Sequence, residues 1–323
     1  MSSNVRLAGG SSGEPGAMTP PNPVGKGTGR RFRRWVQTEG TWYAFIAPNL
    51  LTFFAFNLII WVFLFYISFT DWDMLGAKQF TGLDNYRRML SDNLARIALV
   101  NTFQYVAMEV LPMAALSLFV AVLVNSKLKG KTFFQSVFYL PVVTSISVLA
   151  LIWVNMLGPQ PNSPVNYALG LLGIPAQKWF LSTTLAMPTV AGMAIWGGFG
   201  YYMLLWLAGL QSIPSEVYEA AKIDGAGHWQ QFWSVTLPLL SNTTAFILII
   251  ATIGALQVFG SIYIITGGGP VHATTTVVWY VWQNAFTLQR MGYAATIAVG
   301  LFLIILAITL VQQRFLGFGR EIY

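Results

Sequence analysis

Six long runs of apolar residues alternate with polar segments along the chain. They cover residues 44–66, 99–125, 136–157, 183–210, 242–265 and 293–313. Each run is continuously apolar rather than alternating, and each approaches the roughly 20 residues that a helix needs to cross the hydrocarbon core. A helix also satisfies its own backbone hydrogen bonds in lipid. The pattern therefore predicts an all-α, polytopic membrane protein with six transmembrane helices.

Composition and charge refine this prediction. Of the 323 residues only 9% are charged, against about 25% in soluble proteins. The predicted inside segments hold twelve of the 18 Lys and Arg and the outside segments six, so we expect both termini and the polar segment 211–240 to be cytoplasmic. The net charge of +7 is explained by these topology signals, and no nucleic-acid partner is expected. The sequence has no cysteine, which excludes disulfides.

The chain is predicted to have two parts. Residues 1–34 are rich in Ser, Gly and Pro and end in the basic run RRFRR, which indicates a disordered cytoplasmic tail with a membrane anchor. No cleaved signal peptide is expected, because the apolar run that follows is too long. Residues 35–323 form the six-helix membrane domain, and the segment 211–240 is its cytoplasmic loop.

No catalytic or metal site is predicted from the residues. The GKT at 130–132 has Asn125 where a phosphate-binding loop needs glycine. His228 and His272 lie on opposite sides of the predicted membrane. Glu109 is the ionisable residue inside a predicted span, where a carboxyl is costly. It either faces a wet cavity, as in a proton-coupled carrier, or has a structural partner within the bundle.

Aromatic and small residues crowd the fourth run. Trp196, Tyr201 and Tyr202 alternate with Gly197, Gly198 and Gly200. The glycines allow close helix packing, or they leave room for a ligand against an aromatic face. The fifth run adds Gln257, Phe259 and Tyr263. Aromatic rings and neutral polar groups together suit an uncharged, hydroxyl-rich solute.

The segment EAAKIDGAGHWQQFWSVTLPLL, residues 219–240, predicts a helix, a turn and a second helix. Pro214 and Ser215 suit a helix start, with Ser215 as cap. Ala220 and Ala221 let another surface approach the backbone, and Gly225 suits a turn with positive φ. A second helix over 227–235 is expected to pack Trp229, Phe232 and Trp233 on the bundle. An ordinary amphipathic loop helix is the alternative.

EAAKIDGA, followed by LP at 237–238, resembles the EAA signature of permease subunits in bacterial ABC importers. The stretches FTGLDNY (80–86), NTF (101–103), LAGLQSIP (207–214), YIITGGGP (263–270) and GYAA (292–295) resemble the carbohydrate-uptake branch, relatives of the maltose-transporter permeases. The resemblance covers about residues 40–323 and is strongest to the first of two paired permeases. It implies the type I permease fold.

The resemblance implies residue roles. The EAA helix is the coupling helix in that family, which assigns ATPase coupling to Glu219, Ala220, Ala221, Asp224 and Gly225. Aligned from this motif, the aromatic and glycine positions of the family's sugar site match Trp196, Gly198 and Tyr201. The polar positions on the following helix depart from the family pattern as Ala251, Ala255 and Val258, with Gln257 close by; Gly260 stands where many relatives have Asp.

The resemblance also implies the partners. These are a second permease, two copies of a cytoplasmic ATPase that binds ATP and Mg, an extracytoplasmic solute-binding protein, a sugar and membrane lipid, in a bacterial inner membrane. This chain would hold no cofactor and would not be an enzyme. The rivals are an ion-gradient-driven secondary carrier and a structural membrane scaffold. The near absence of charge in the spans argues against the carrier, and the EAA unit argues against both.

Overall fold

In lipid every backbone polar group needs a partner within the protein, which favours helices along each apolar run. The computed structural model describes residues 40–126 and 130–316 and is helical over most of this length. The predicted tail 1–34 and the C-terminal GREIY lie outside the described residues. The α-helices of the described residues are α1 (Gly40–Phe53), α2 (Ile59–Ser68), α3 (Asp84–Ser91), α4 (Asn93–Asn125), α5 (Lys131–Val143), α6 (Ile146–Met156), α7 (Pro164–Leu171), α8 (Ala186–Ser212), α9 (Ser215–Ile223), α10 (His228–Gln231), α11 (Leu237–Leu239), α12 (Ser241–Leu256), α13 (Val277–Trp282) and α14 (Met291–Phe315).

Short irregular turns join several of these helices. One antiparallel pair of two-residue strands, β1 (Thr70–Asp71) and β2 (Gln79–Phe80), aligns Thr70 with Phe80 and Asp71 with Gln79. The π-helical turns are Phe54–Leu58, Phe232–Thr236, Ile262–Thr266 and Gln283–Thr287, and Trp179–Leu181 is a 3₁₀ turn.

The chain divides into two compact units, residues 1–60 and 61–323. In the described part of the first unit, none of the side chains is buried and aromatic residues such as Phe45 and Phe56 are exposed. A helix that is apolar on all sides is suited to hydrocarbon. The second unit contains the remaining helices, the loop 211–240 and the aromatic residues of the fourth apolar run.

In the part of the chain that the structure describes, four helical segments are long and apolar enough to cross a membrane, and the number is six if each of two bent pairs is one span. The four are Phe45–Ser68, Asn93–Asn125, Ala186–Ser212 and Met291–Phe315. The prediction of six spans in an all-α fold is therefore confirmed if each bent pair is one span. The second span begins six residues earlier than predicted, because Asp92 caps α4 through its side chain.

The third and fifth spans are not the continuous helices that the sequence predicted. Helices α5 and α6 meet at 95°, because Thr144 and Ser145 are extended between them. The predicted fifth span, residues 242–265, is α-helical only as far as Leu256, where α12 ends. The 67° bend between His228–Leu239 and Ser241–Leu256 lies before this span, where the sequence predicted the end of the loop. Hydropathy does not report such breaks, since the residues on both sides remain apolar.

The core of the second unit lies between α4, α8 and α12. Met203, Trp206 and Ile247 are almost fully buried in one cluster, and Trp206 Nε1 donates to Ser117 Oγ at 3.1 Å. Helix α8 lies so close to α5 that a Cβ at Gly200 would come within 2.1 Å of the Phe138 carbonyl oxygen. At this position the packing interpretation of the glycines is therefore confirmed.

Candidate functional site: the loop 211–240 and the aromatic face of α8

Helix α9 is the first part of the loop 211–240. It covers residues Ser215–Ile223, as the sequence predicted. The expected cap at Ser215 is wrong, because Pro214 takes the cap position with extended backbone and no side chain caps the helix. Proline is tolerated here since the first amides of a helix have no intrahelical acceptor.

The C-terminus of α9 is closed by a Schellman motif. The amide of Ala226 donates to the Ala221 carbonyl at 2.9 Å, and the amide of Gly225 donates to the Lys222 carbonyl at 3.0 Å. Gly225 has a φ of +82° with open space where a Cβ would lie. Glycine is needed here for backbone conformation and not for room, which confirms the predicted turn.

No residue of α9 is buried. Glu219, Ala220 and Asp224 are exposed and Ala221 is half-buried. Within the described residues, neither the Glu219 nor the Asp224 side chain makes a hydrogen bond or an ion pair. The four therefore present a small, polar surface that makes no such contact with residues 40–126 and 130–316.

The second half of the loop differs from its prediction. The expected helix 227–235 is α10 followed by the π-helical turn Phe232–Thr236. The predicted packing of Trp229, Phe232 and Trp233 on the bundle is wrong for the two tryptophans, because Trp229 is 74% exposed and Trp233 is 51% exposed. The three rings pack on one another instead, with centroids 5.4 to 6.3 Å apart.

Two side chains hold the halves of the loop together. The Gln231 amide donates to the Ala226 carbonyl at 2.7 Å, and the hydroxyls of Tyr218 and Thr236 lie 3.1 Å apart. Behind them a cavity of about 280 Å³ separates the loop from the ends of α4 and α8. Its lining comprises Val122, Asn125, Ser126, Leu210, Tyr218, His228, Gln231, Phe232 and Thr236. The loop thus adjoins the C-terminal ends of the two longest helices of the core.

The predicted substrate residues lie in partly open positions. Trp196 is 41% exposed and contacts Trp153 of α6 edge-on at 5.8 Å, whereas Tyr201 is 40% exposed and contacts Tyr202 at 5.2 Å. Tyr201 is five positions after Trp196, so the two side chains point about 140° apart around α8. A ligand can contact both rings only if its binding surface extends around α8.

Gly198 and Gln257 complete the predicted set. A Cβ at Gly198 would lie 3.1 Å from the Met113 methyl group, so this glycine admits α4 closely. Gln257 follows α12 and is exposed. Ala251 and Ala255, which replace polar residues of the resembling family, are buried in the core.

Glu109 lies halfway along α4. It faces two tyrosines, Tyr105 one turn earlier on α4 and Tyr202 on α8. Its Oε2 atom is buried without a hydrogen-bond partner among the described residues. The structure therefore places the Glu109 side chain in a mainly buried position, and its neighbours there are aromatic.

The sequence did not point to Asp92. This residue links α4, α13 and α14 by hydrogen bonds, at the end of the second unit opposite the loop 211–240. Its carboxylate accepts from the amides of Leu94 and Ala95 and from the hydroxyls of Tyr280 and Tyr293, at 2.5 to 3.3 Å. Burial raises the pKa of Asp92, but the hydrogen bonds lower it by more. The pKa of Asp92 therefore lies below its ordinary value. Its position just before a helical pattern was a usable signal, since aspartate is a preferred cap.

No group of three or more His, Asp or Glu side chains in residues 40–126 and 130–316 is arranged to hold a metal ion.

Comparison with known proteins identifies the family. Residues 113–316 match the family described as binding-protein-dependent transport system inner membrane component. The chain belongs to this family. This permease is similar to the probable ABC transporter permease protein YesP of Bacillus subtilis, with 36% identity over 83% of this chain and 88% of that protein. It is also similar to the arabinooligosaccharides transport system permease protein AraP of the same organism, with 33% identity over 85% of this chain and 88% of that protein.

A solved structure shares the permease fold. It is the bacterial alginate ABC transporter in complex with an alginate pentasaccharide-bound periplasmic protein, and the likeness has a TM-score of 0.78 at 22% identity. The match covers 90% of this chain and all of that one. The type I permease fold and the resemblance to sugar ABC transporter permeases are therefore confirmed.

Proposed function

We propose that the permease forms part of an import path for a sugar or sugar-like solute, and that ATP hydrolysis by a partner drives this path through α9. The supporting observation is the surface of Glu219, Ala220, Ala221, Asp224 and Gly225. It is exposed, ends in a rigid Schellman motif and has carboxylates unused within the described chain. Such a surface is suited to docking in a cleft of a cytoplasmic ATPase.

The proposed mechanism is mechanical. The hydrogen bonds of Gln231 and Tyr218 make the loop 211–240 one unit, which adjoins the ends of α4 and α8. When the two ATPase copies close on ATP and Mg, displacement of α9 would shift these helices and turn the path from inward to outward. The chemistry belongs to the ATPase, and this chain is no enzyme in the proposal. Both termini are cytoplasmic, on the side of α9.

The partners in the proposal are a second permease, two ATPase copies and an extracytoplasmic solute-binding protein. The similar alginate transporter was solved with a sugar-bound periplasmic protein, which supports the last of these. The exposed Trp196 and Tyr201 suit a path shared with the second permease, since their partly open rings can stack on sugar C–H surfaces. Gly198 and Gln257 are proposed to complete the lining.

An ion-gradient-driven secondary carrier is the second candidate. The buried, unpartnered oxygen of Glu109 is the observation that favours it. A carrier predicts uptake that an ionophore abolishes while ATP remains intact. The proposed ATP-driven importer predicts uptake that survives the ionophore and stops when ATP is depleted.

The decisive experiment is purification in mild detergent, followed by identification of the co-purifying chains and of the sugar and binding protein that stimulate ATP hydrolysis. The test variant is Ala220→Trp, with Ala221→Trp as a second, because an indole on α9 would block a docking cleft. Ala168→Trp on the exposed face of α7 is the matched control.

We expect the α9 variants to insert normally but to lose the ATPase subunits and at least tenfold of the stimulated hydrolysis, about 1.4 kcal/mol of coupling. Ala168→Trp should retain both. Full transport by a well-expressed Ala220→Trp protein would reject docking at α9. A separate variant, Tyr201→Ala, should raise the transport KM; an unchanged KM would remove α8 from the path.

A further inference from the structure

An apolar groove of about 290 Å³ lies on the second unit between α3, the first turns of α4, and α14. It is lined by Met89, Leu90, Ala95, Arg96, Leu99, Val277, Ile297, Gly300, Leu301 and Ile304. Four of these, at 297, 300, 301 and 304, follow the three- and four-residue spacing of one helix face. The groove therefore runs along the axis of α14.

Arg96 is the one cation among the residues that line this groove, and it is exposed. The ion pair found within the described residues joins Arg87 to Asp84 at 3.2 Å and leaves Arg96 without an acidic partner there. Asp92 is one turn away, but both of its oxygens already accept hydrogen bonds from two tyrosines and two amides. The guanidinium is thus available to an external anion.

The groove lies along the beginnings of α4 and α14, at one face of the predicted membrane. Helix α4 has 33 residues, or about 50 Å, whereas the hydrocarbon core is about 30 Å thick. Its apolar run begins at residue 99, so the first turn, which carries Arg96, is placed outside the hydrocarbon at headgroup depth. On α14 the groove extends from Ile297 to Ile304, seven positions or about 10 Å along the axis. The groove passes from the headgroup region into the acyl region.

We propose that this groove is a binding site for an anionic phospholipid, with the phosphate on Arg96 and one acyl chain along Leu99, Ile297 and Ile304. The leaflet is the one opposite the loop 211–240, because that loop adjoins the other end of α4. The charge and the apolar lining together select this ligand: a zwitterionic lipid offers the same chain but no net charge for the arginine. The site does not depend on the identity of the transported solute.

The test is native mass spectrometry of the purified transporter with bound lipid, after exchange into vesicles of phosphatidylglycerol or phosphatidylcholine. Arg96→Gln should bind phosphatidylglycerol about fivefold more weakly, as expected for one lost cation–phosphate interaction. Arg96→Lys should retain most of the binding. Leu99→Trp, which fills the groove, should lose both lipids.

Arg87→Gln is the matched control, since Arg87 lies on the same face of the membrane but outside the groove and pairs with Asp84. It should leave the retention of lipid unchanged, and unaltered thermal unfolding of each variant shows that folding is intact. Equal retention of phosphatidylglycerol by Arg96→Gln and the unaltered protein would overturn the proposal. So would a structure of the assembled transporter in which side chains of a partner subunit fill the groove.

Discussion

The two ends of the second unit use their polar side chains in opposite ways. We call the end formed by β1, β2, α3, the loop 266–276 and the first turns of α4 and α14 the hairpin end. There three polar side chains turn inward onto backbone: Asn85 donates to the carbonyls of Ser68 and Thr70, Asn101 to those of His272 and Thr275, and Thr296 to that of Ser68. At the loop 211–240 Gln231 donates to the Ala226 carbonyl, but the carboxylates of Glu219 and Asp224 point outward and have no hydrogen-bond or ion-pair partner within the described residues.

The difference supports the proposal that a partner protein docks at the loop 211–240. A buried carbonyl that loses its donor costs about 1–3 kcal/mol, so the side chains of the hairpin end contribute to folding of this chain alone. The exposed carboxylates of α9 contribute little to folding and are available to a partner. Substitutions at the hairpin end should therefore lower stability, whereas substitutions at the loop should lower coupling.

The largest loss of stability is expected for Gly292→Ala. A Cβ at this position would lie 1.8 Å from the Thr70 carbonyl oxygen, because α14 begins directly against β1. We expect a cost of about 3 kcal/mol, at the upper end of measured overpacking, which is a fall in Tm of roughly 6–12 °C in detergent. Gly254→Ala, a helical glycine with open space around it, should leave Tm unchanged or slightly raised.

A smaller loss is expected for Asn101→Ala. The variant removes two hydrogen bonds, at 2.8 and 3.0 Å, that hold the loop 266–276 on α4. Thermal unfolding should report a destabilisation of about 2 kcal/mol. Asn155→Ala, which removes a bond within the exposed face of α6, should change stability by less than about 0.5 kcal/mol. Equal effects of the two variants would contradict an inward-bonded hairpin end.

Asp92→Asn should cost about 1–2 kcal/mol at neutral pH, since the partly exposed carboxylate loses two charge-assisted bonds from Tyr280 and Tyr293. Because the folded pKa of Asp92 lies below its ordinary value of 3.8, its stabilisation is present above pH 4 and is lost as pH falls through the folded pKa. The difference in stability between Asp92→Asn and the unaltered protein should therefore shrink in acid.

Asp84→Asn is the control. Asp84 belongs to an exposed ion pair, so this variant should show little effect on stability at any pH. A pH-independent cost for Asp92→Asn would contradict the role assigned to Asp92.

Hydropathy was sufficient to predict six spans if each bent pair is one span, because length and apolarity are what the bilayer requires. It did not predict the 95° bend after α5, since the residues that flank Thr144 and Ser145 are as apolar as those of an unbroken span. The chain breaks there through backbone conformation, which a hydropathy average does not contain. The same limit applies to the early end of α12 at Leu256.

The local structure of the proposed coupling surface was more predictable than that of the proposed substrate site. The turn at Gly225 and the small side chains of α9 follow from residue type, which the sequence states directly. The surroundings of Trp196 and Tyr201 depend instead on which helix lies beside them, and the structure places them about 140° apart. The hydrogen bonds of Asp92 were not predicted, because two of its partners, Tyr280 and Tyr293, lie nearly two hundred residues away in the sequence.

The smallest effect on stability, together with a large effect on coupling, is expected for Gly225→Val. The φ of +82° is strained for a β-branched side chain, so the Schellman motif at the end of α9 should open. Because the turn is exposed and no neighbour lies within 4 Å, the strain should be released by local opening of the turn, and unfolding of the bundle should change by less than about 1 kcal/mol. Solute-stimulated ATP hydrolysis should nevertheless fall at least tenfold.

Gly227→Val is the matched control, since Gly227 has ordinary extended backbone and equally open space. This variant should keep solute-stimulated ATP hydrolysis. If Gly225→Val lowered Tm as much as Gly292→Ala, or hydrolysed ATP normally in the complex, the contrast between the two ends would fail.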